Sequence, residues 1–394
     1  MSRVLRFITA GESHGPGLTV VVDGLPAGVP VERAAIDADL RRRQGGYGRG
    51  GRMKIETDAV EILSGVRHGR TLGSPVALVV RNRDHESWAD VMSPDPQPDA
   101  ARERRRLRHP RPGHADLAGA LKYGTSDLRN VVERASARET TARVAAGALA
   151  RALLREAGVE VRSHVVRIGE AGLGEGPAAW ATLDRVEESP VRCVDPGVSG
   201  AMVAAIDRAR KDGDSVGGAV EVIARGVPAG LGSHVAWDEK LDGRIGQALL
   251  SIPAIKGVEI GEAVAAARGF GSAAHDAILP RPGGGYLRPT NRAGGLEGGV
   301  TNGEDVVVTL YKKPIATLRE GLPSIDLDTG EAHAAQYERS DVTALPAAGV
   351  IGEAMLALVL ADALLEKLGG DSMAELAAHL EATRALQRAW PSRR

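Results

Sequence analysis

The sequence predicts an α+β fold in one large domain spanning residues 1–394, and three observations lead there. Short apolar runs of strand length, at residues 4–8, 17–22, 77–80, 219–224 and 305–310, are interleaved with long alanine-rich stretches. Those stretches carry helical patterning at 36–42, 137–157, 200–212, 238–251, 346–367 and 372–387. No low-complexity linker divides the chain, and the variable-looking segment 169–190 reads as a surface excursion and not as a boundary. Aromatic residues are only 3% of the chain, so Leu, Val and Ala must fill the core.

Local signals fix several element ends. The run at 4–8 stops in a tight turn, GESHGPG, which carries Ser13 and His14. Ser136 followed by Glu139 has the spacing of a capping box, which predicts a helix starting near Ala137 and running toward Gly158. Its free N–H groups and positive dipole end would then point where Arg134 and Arg138 also point, an anion site. Ser372 and Glu375 repeat the spacing after Gly369 and Gly370 have stopped the preceding helix. The apolar stretch 344–365 has the length of a membrane span, but Glu353, Asp362 and several glycines within it predict a buried helix.

Bulk charge excludes some functions. Lys plus Arg number 50 against 51 Asp plus Glu, so no global attraction to nucleic acid or membrane is expected. The cations are concentrated locally, which points to a small polyanionic ligand. Cys193 is the only cysteine, which excludes an intrachain disulfide and fits a reducing compartment. The N-terminus enters a strand-like run at once without a small-residue cleavage site, so no signal peptide is expected and the cytoplasm is the expected location.

The densest cationic island is residues 109–140, HPRPGHADLAGALKYGTSDLRNVVERASARET. Its arginines and histidines are set among Gly, Ser and Pro instead of apolar side chains. Read alone, this is equally a solvated basic loop before an amphipathic helix. Islands of the same character recur at RRRQGGYGRGGR (41–52), IPAIKGVEIG (252–261), TNRAGGLEGGVTNG (290–303), KKPIATLR (312–319) and YERSDVTALPAAG (337–349).

GESHG, GVRHGRTLGSPVAL, RPGHAD, ERASARET, IPAIKGVEIG, TNRAGGLEGG, KKPIAT and RSDVTALPAAGV follow one another along the whole chain. In that order they closely resemble the signature segments of the chorismate synthase family, flavin-dependent enzymes that end the shikimate pathway. The resemblance implies helices sandwiched between antiparallel β-sheets, assembled as a homotetramer. It also implies removal of phosphate and a ring proton from 5-enolpyruvylshikimate 3-phosphate, requiring reduced FMN although the reaction is redox-neutral overall.

By position within the resembling segments, the substrate anions are expected on Arg43, Arg49, Arg111, Arg138 and Arg339, with Ser13 and Ser136 as neutral donors. Arg52 and Arg134 are second choices, and Arg104 to Arg106 are expected to form a solvated basic face. A lone histidine most often satisfies buried backbone groups, and His68 and His85 are read that way. His14 and His114 lie between glycine-rich turns inside motifs whose family counterparts are catalytic. His14 would protonate the leaving phosphate, and His114 would steady the reduced flavin by donating toward its pyrimidine ring. Asp341 is the candidate base, kept ionised by Arg339 and drawing a proton from flavin N5. The flavin itself is expected against Arg134, Ala135, Ser136, Pro253, Ala254, Gly298, Lys313, Pro314, Ile315, Ala316, Thr317 and Arg339. Pro253 stands where relatives often carry an amide. Asp214 and Ser215 either shape the same pocket or form a plain turn. No metal is expected.

Two features point elsewhere and are outweighed. YGRGGR (47–52) is similar to the arginine-glycine repeats of RNA-binding proteins, but it occurs once in a near-neutral, aromatic-poor chain. A catalytically dead relative would be marked by loss of His14, His114 or Asp341, and all are present. The source of reduced flavin is left open between NADPH and an external flavin reductase. The length, with no room for a reductase domain beyond the family core, favours the monofunctional type.

Overall fold

The computed structural model describes residues 4–50, 57–174, 176–282, 285–338 and 341–388. The chain begins with β1 (Arg6–Ala10) and β2 (Gly17–Asp23), paired antiparallel with Arg6 opposite Asp23. Along β2, Leu18, Val20 and Val22 are buried in strict alternation, as a strand with one core face requires. The reversal between the two strands needs glycine at position 11. Gly11 has φ 105°, and a Cβ there would stand 2.3 Å from the Gly17 carbonyl oxygen. With β3 (Val60–Ile62) and β4 (Val76–Arg81), these strands form an antiparallel sheet in the order β1-β2-β4-β3.

A second antiparallel sheet is built from β5 (Glu160–Ile168), β6 (Ala171–Gly172), β7 (Gly218–Arg225), β8 (Ile255–Ile260) and β9 (Val306–Lys312). Its order is β8-β9-β7-β5-β6. The principal helices are α1 (Arg33–Gln44), α2 (Asp116–Tyr123), α3 (Arg129–Ala135), α4 (Thr140–Glu156), α5 (Pro196–Lys211), α6 (Leu241–Leu250), α7 (Leu345–Leu368) and α8 (Met373–Arg388). Helix α4 lies on β2 and β4 and packs against α7, which in turn lies on β5 and β7. Helices are thus sandwiched between antiparallel sheets in an α+β fold, as expected. One apolar cluster of Leu, Val, Ile and Ala runs through both sheets and the helical layer.

Helix α7 shows how that layer is closed. It is buried on nearly every side, which accounts for its membrane-like length and composition. At its crossing with α4, a Cβ on Gly147 would come within 2.3 Å of the Ala354 Cβ, so only glycine permits this approach. The two acids of α7 are both partnered. Asp362 accepts from the Leu5 backbone N–H at 2.8 Å and pairs with Arg244 at 2.6 Å. Glu353, fully buried, takes both Arg42 Nη atoms at 2.8 Å, the Ser163 hydroxyl at 2.6 Å, and Arg151 and Arg192 at 3.2 Å. This network ties α1, α4 and β5 to α7.

The expected helices at 36–42, 200–212, 238–251, 346–367 and 372–387 and the five strand runs all form, with ends shifted by a few residues. The capping box before α8 is made on both sides, Glu375 accepting from Ser372 N at 3.0 Å and donating its N–H to Ser372 Oγ at 3.3 Å. The helix start near Ala137 differs. Residues Ala137–Glu139 form a 3₁₀ turn that follows α3 directly, and the N–H groups of Arg138, Glu139 and Thr140 are accepted by Ser136 and Ala137. No open helix end faces an anion there, because the chain enters the turn from another helix. Helices α2 and α3 and strand β5 were not foreseen. The excursion at 169–190 covers the outer face of the second sheet through a 3₁₀ segment, Trp180–Glu188, with Leu183 packed on Ile223 and Val307.

Burial pushes the Glu353 carboxyl up, but Arg42, Arg151 and Arg192 outweigh burial and hold it well below its usual value of 4.5. A depressed folded value stabilises above the unfolded one and loses that contribution as pH falls. Replacing Glu353 with Gln should therefore lower stability by about 3–5 kcal/mol near neutral pH, because buried Arg192 and half-buried Arg42 and Arg151 lose a shared counter-charge. The deficit should shrink as pH is lowered below about 4. Urea unfolding of both proteins across pH checks this, and equal midpoints at neutral pH would contradict it.

Candidate active site

The turn after β1 is anchored from α3. Ser13 is buried and donates its N–H to the Glu133 carbonyl at 2.9 Å. Glu133, 3% exposed, receives His14 twice: its carboxylate lies 2.8 and 3.0 Å from the ring Nδ1 and accepts the His14 backbone N–H at 2.8 Å. Arg129, one helical turn before Glu133, adds a contact at 3.3 Å. The His14 ring is stacked on Trp88 with centroids 3.9 Å apart, and the Arg105 guanidinium also lies over the Trp88 ring, 3.7 Å from its centroid. His85 supports the turn through Nδ1 and the His14 carbonyl at 2.9 Å. Arg134 reaches back to the Thr9 and Gly11 carbonyl oxygens, so it braces the turn.

Next to this turn the arginines converge. Asn82 donates to the Glu12 and Gly15 carbonyls and receives Arg138 Nε at 3.0 Å. Arg138 pairs with Asp58 at 2.7 Å, and Arg43 lies 3.7 Å from the same carboxylate. Arg43 also donates to Thr140 Oγ1 and the Ala137 carbonyl, while its Nη1 is buried without a hydrogen-bond partner among the described residues. Burial and the neighbouring Arg138 charge push the Arg43 guanidinium down to about 9. Arg49 pairs with Asp341 at 3.1 Å, and Asp341 also accepts the Gly50 N–H at 2.6 Å. Arg52, Arg339 and Ser340 lie outside the described residues.

A second group forms around His114. Asp116 takes Arg111 through Nε at 2.8 Å and Nη2 at 3.1 Å, and the His114 Nδ1 at 2.5 Å. Burial alone would raise the Asp116 carboxyl, but bonds from His114 and Arg111 hold it well below the usual range. Arg111 continues to Thr317 Oγ1 at 3.1 Å. The segment from Lys313 to Thr317 is drawn in from several sides. Lys313 donates its N–H to the Ala254 carbonyl at 3.0 Å and its ammonium to the Gly113 carbonyl, and Ser215 Oγ holds the Ile315 carbonyl at 2.6 Å. Ala254 has φ 69°, a left-handed conformation rare for a residue with a Cβ, directly after Pro253.

The structure thus joins Pro253, Ala254, Lys313, Pro314, Ile315, Ala316 and Thr317 to the His114 loop, and Ser13, His14, Arg43, Ser136 and Arg138 to one another. Ala135 ends α3, next to Ser136. Arg49 and Asp341 lie close enough to Lys312, next to Lys313, to act on its charge. Gly298 sits on the hairpin between Leu296 and Thr301, whose contacts run to Gly232 and Leu241.

The family model described as chorismate synthase matches residues 5–365. The chain is 59% identical to the chorismate synthase of Moorella thermoacetica over 97% of its own length and 98% of the relative's. It is 60% identical to that of Symbiobacterium thermophilum over 94% and 96%. A crystal structure of a chorismate synthase superposes with TM-score 0.79 at 43% identity, covering 99% of this chain and all of the other. The chain belongs to the chorismate synthase family. It is an enzyme of the shikimate pathway.

Several residues around the site carry no sequence expectation: Glu133, Asp58, Asp116 and Trp88. Glu133 and Asp116 stand inside ERASARET and RPGHAD, where nothing in the sequence marks an acid as the partner of the neighbouring cations. Asp58 has no local signal, since its partners lie 80 and 15 positions away in sequence. Arg105, expected on a solvated face, is stacked on Trp88 instead, and Arg106 pairs with Asp328 at 2.7 Å.

Lys312 is buried, and burial, with Arg49 and Lys313 adding to it against the pull of Asp341, pushes its ammonium down to about 8. Its charge is therefore lost as pH rises from about 7 to about 9. Sulfate keeps a fixed charge over that range, so its affinity for the protein should fall with a step near pH 8. Lys312→Met should remove the step. Calorimetric titration at several pH values decides, and an unchanged step in the variant would mean that Lys312 is not the titrating group.

Proposed function

We propose that this enzyme converts 5-enolpyruvylshikimate 3-phosphate to chorismate and phosphate by 1,4-elimination, with reduced FMN bound. The observation that carries the reading is the Arg43–Arg138 pair. Two buried guanidinium groups share one carboxylate, and one Arg43 nitrogen has no acceptor among the described residues, which favours an incoming anion. The substrate carries two carboxylates and a phosphate, about four negative charges near neutral pH. Ser13, Arg43, Arg49, Arg111, Ser136, Arg138 and Arg339 form the proposed binding set. Arg49 and Arg111 would act from their ion pairs with Asp341 and Asp116.

In this reading His14 donates a proton from Nε2 to the leaving phosphate oxygen, and the Asp341 carboxylate, its charge supported by Arg49, accepts a proton. For the flavin, Lys313 and Thr317 supply an ammonium and a hydroxyl suited to a ribityl phosphate, so the donor set fits FMN. Pro314, Ile315, Ala316, Pro253, Ala254, Arg134, Ala135, Ser136, Gly298 and Arg339 complete the proposed FMN contacts, and His114 donates toward the pyrimidine ring. Reduced FMN supplies the hydrogen acceptor at N5. We also read the enzyme as cytoplasmic and homotetrameric, with reduced flavin supplied by an external reductase or through NADPH.

An anaerobic assay tests the reading. Chorismate should form only with reduced FMN, and equal turnover with oxidised flavin or with none would refute it. His14→Ala and Asp341→Ala should each slow the single-turnover rate by roughly 10²–10⁴ with much smaller changes in substrate affinity. Rates near wild type in both variants would remove these residues from the mechanism.

A further inference from the structure

The His14 ring is held in an unusually complete frame. Its Nδ1 lies within 3.0 Å of both Glu133 oxygens, its backbone N–H donates to the same carboxylate, and its face is covered by Trp88. Glu133 in turn is 3% exposed and receives Arg129. The charged and titratable groups facing this unit are Glu133 and Arg129 from α3, His85 at the His14 carbonyl, and Arg105 over the Trp88 ring.

We propose that Glu133 is a positioning residue for His14, fixing the ring in the Nδ1–H tautomer so that Nε2 is the nitrogen that exchanges protons with the substrate. A carboxylate has only acceptor sites, so the nitrogen beside it must carry the hydrogen. In neutral imidazole that leaves the lone pair on Nε2, and in the cation it leaves Nε2–H as the only proton not already committed. Burial pushes the Glu133 carboxyl up, but the His14 bonds and Arg129 outweigh burial and hold it below the usual range, so Glu133 stays an acceptor. The proton given to the leaving phosphate oxygen therefore departs from Nε2, and the electron pair of the breaking carbon–oxygen bond leaves with the phosphate. Stacking on Trp88 opposes rotation of the ring. Trp88 thus restrains ring orientation, and Glu133 restrains both orientation and tautomer.

This inference rests on the proposed role of His14, and its test separates the two. The first measurement needs no substrate: nitrogen-15 NMR of the imidazoles, with His14→Gln assigning the signal. In the wild-type protein neutral His14 should show a protonated Nδ1 and an unprotonated Nε2, and the reverse tautomer would overturn the proposal whatever the enzyme's activity. The second uses two variants. Glu133→Gln keeps shape and volume but can present its amide N–H₂ to Nδ1, and loss of the carboxylate behind such a histidine costs on the order of 10²–10⁴ in turnover. Glu133→Asp changes the shape but keeps the carboxylate, so it should retain more turnover than Glu133→Gln, with KM changed less than kcat in both. A packing role predicts the opposite ranking, and Glu133→Gln as active as Glu133→Asp would overturn the proposal. In the His14→Ala background, Glu133→Gln should slow the enzyme no further; a full additional loss would mean that Glu133 acts elsewhere.

Discussion

Among the described residues, the buried and half-buried arginines near the centre of this molecule are matched to carboxylates, and the fold and the proposed site both depend on that pairing. An unpaired guanidinium taken out of water costs several kcal/mol, so these cations are tolerable only where an acid arrives from another part of the chain. Glu353 does this for Arg42, Arg151 and Arg192 and so locks α1, α4 and β5 onto α7. Asp58 does it for Arg138 and, at a longer distance, Arg43. Asp116 does it for Arg111, and Glu133 for Arg129. These last pairs do a second job, because each acid also holds the Nδ1 of a histidine.

The pairing is uneven, and the unevenness is where function enters. Around Glu353 the acid is surrounded by donors and the network is closed, which suits a structural core. Around Asp58 one carboxylate serves two guanidinium groups, leaving net positive charge and an unused N–H in a buried place. That excess is what a phosphate or carboxylate would neutralise. The same imbalance lets a chain with nearly equal acids and bases overall gather local positive charge around Arg43 and Arg138.

Much of this was legible in the sequence, for definable reasons. Helices α1, α5 and α8 carry apolar periodicity or capping residues, and β2, β4, β7 and β9 are apolar runs, so local rules suffice. Strand β5 was hidden because Arg162, Ser163, His164 and Arg167 interrupt its apolar pattern; Ser163 and His164 are buried only because Glu353 and Glu221 are there to receive them. Helices α2 and α3 were read as an anion-holding loop, since the spacing of Asp116 and Glu133 from their cations matters only once the helices bring them together. Strand β8 lies at a sheet edge, half-buried and containing Gly257, and so gave no strand signal. The cations of the proposed site stand in segments that are visible in the sequence, whereas Asp58 is brought to Arg138 and Arg43 only by the three-dimensional contact.

The central claim is that Arg43 and Arg138, tied to one shared carboxylate, form an anion clamp for the substrate. It is tested most directly by titrating 5-enolpyruvylshikimate 3-phosphate into the Arg43→Lys protein loaded with oxidised FMN. Lysine keeps the charge but loses the planar fork, so one of two charge-assisted hydrogen bonds should go, at a cost of roughly 1.5–3 kcal/mol, or about ten- to a hundredfold in affinity. Binding equal to wild type would contradict the account, because only an arginine outside the clamp tolerates that exchange without loss.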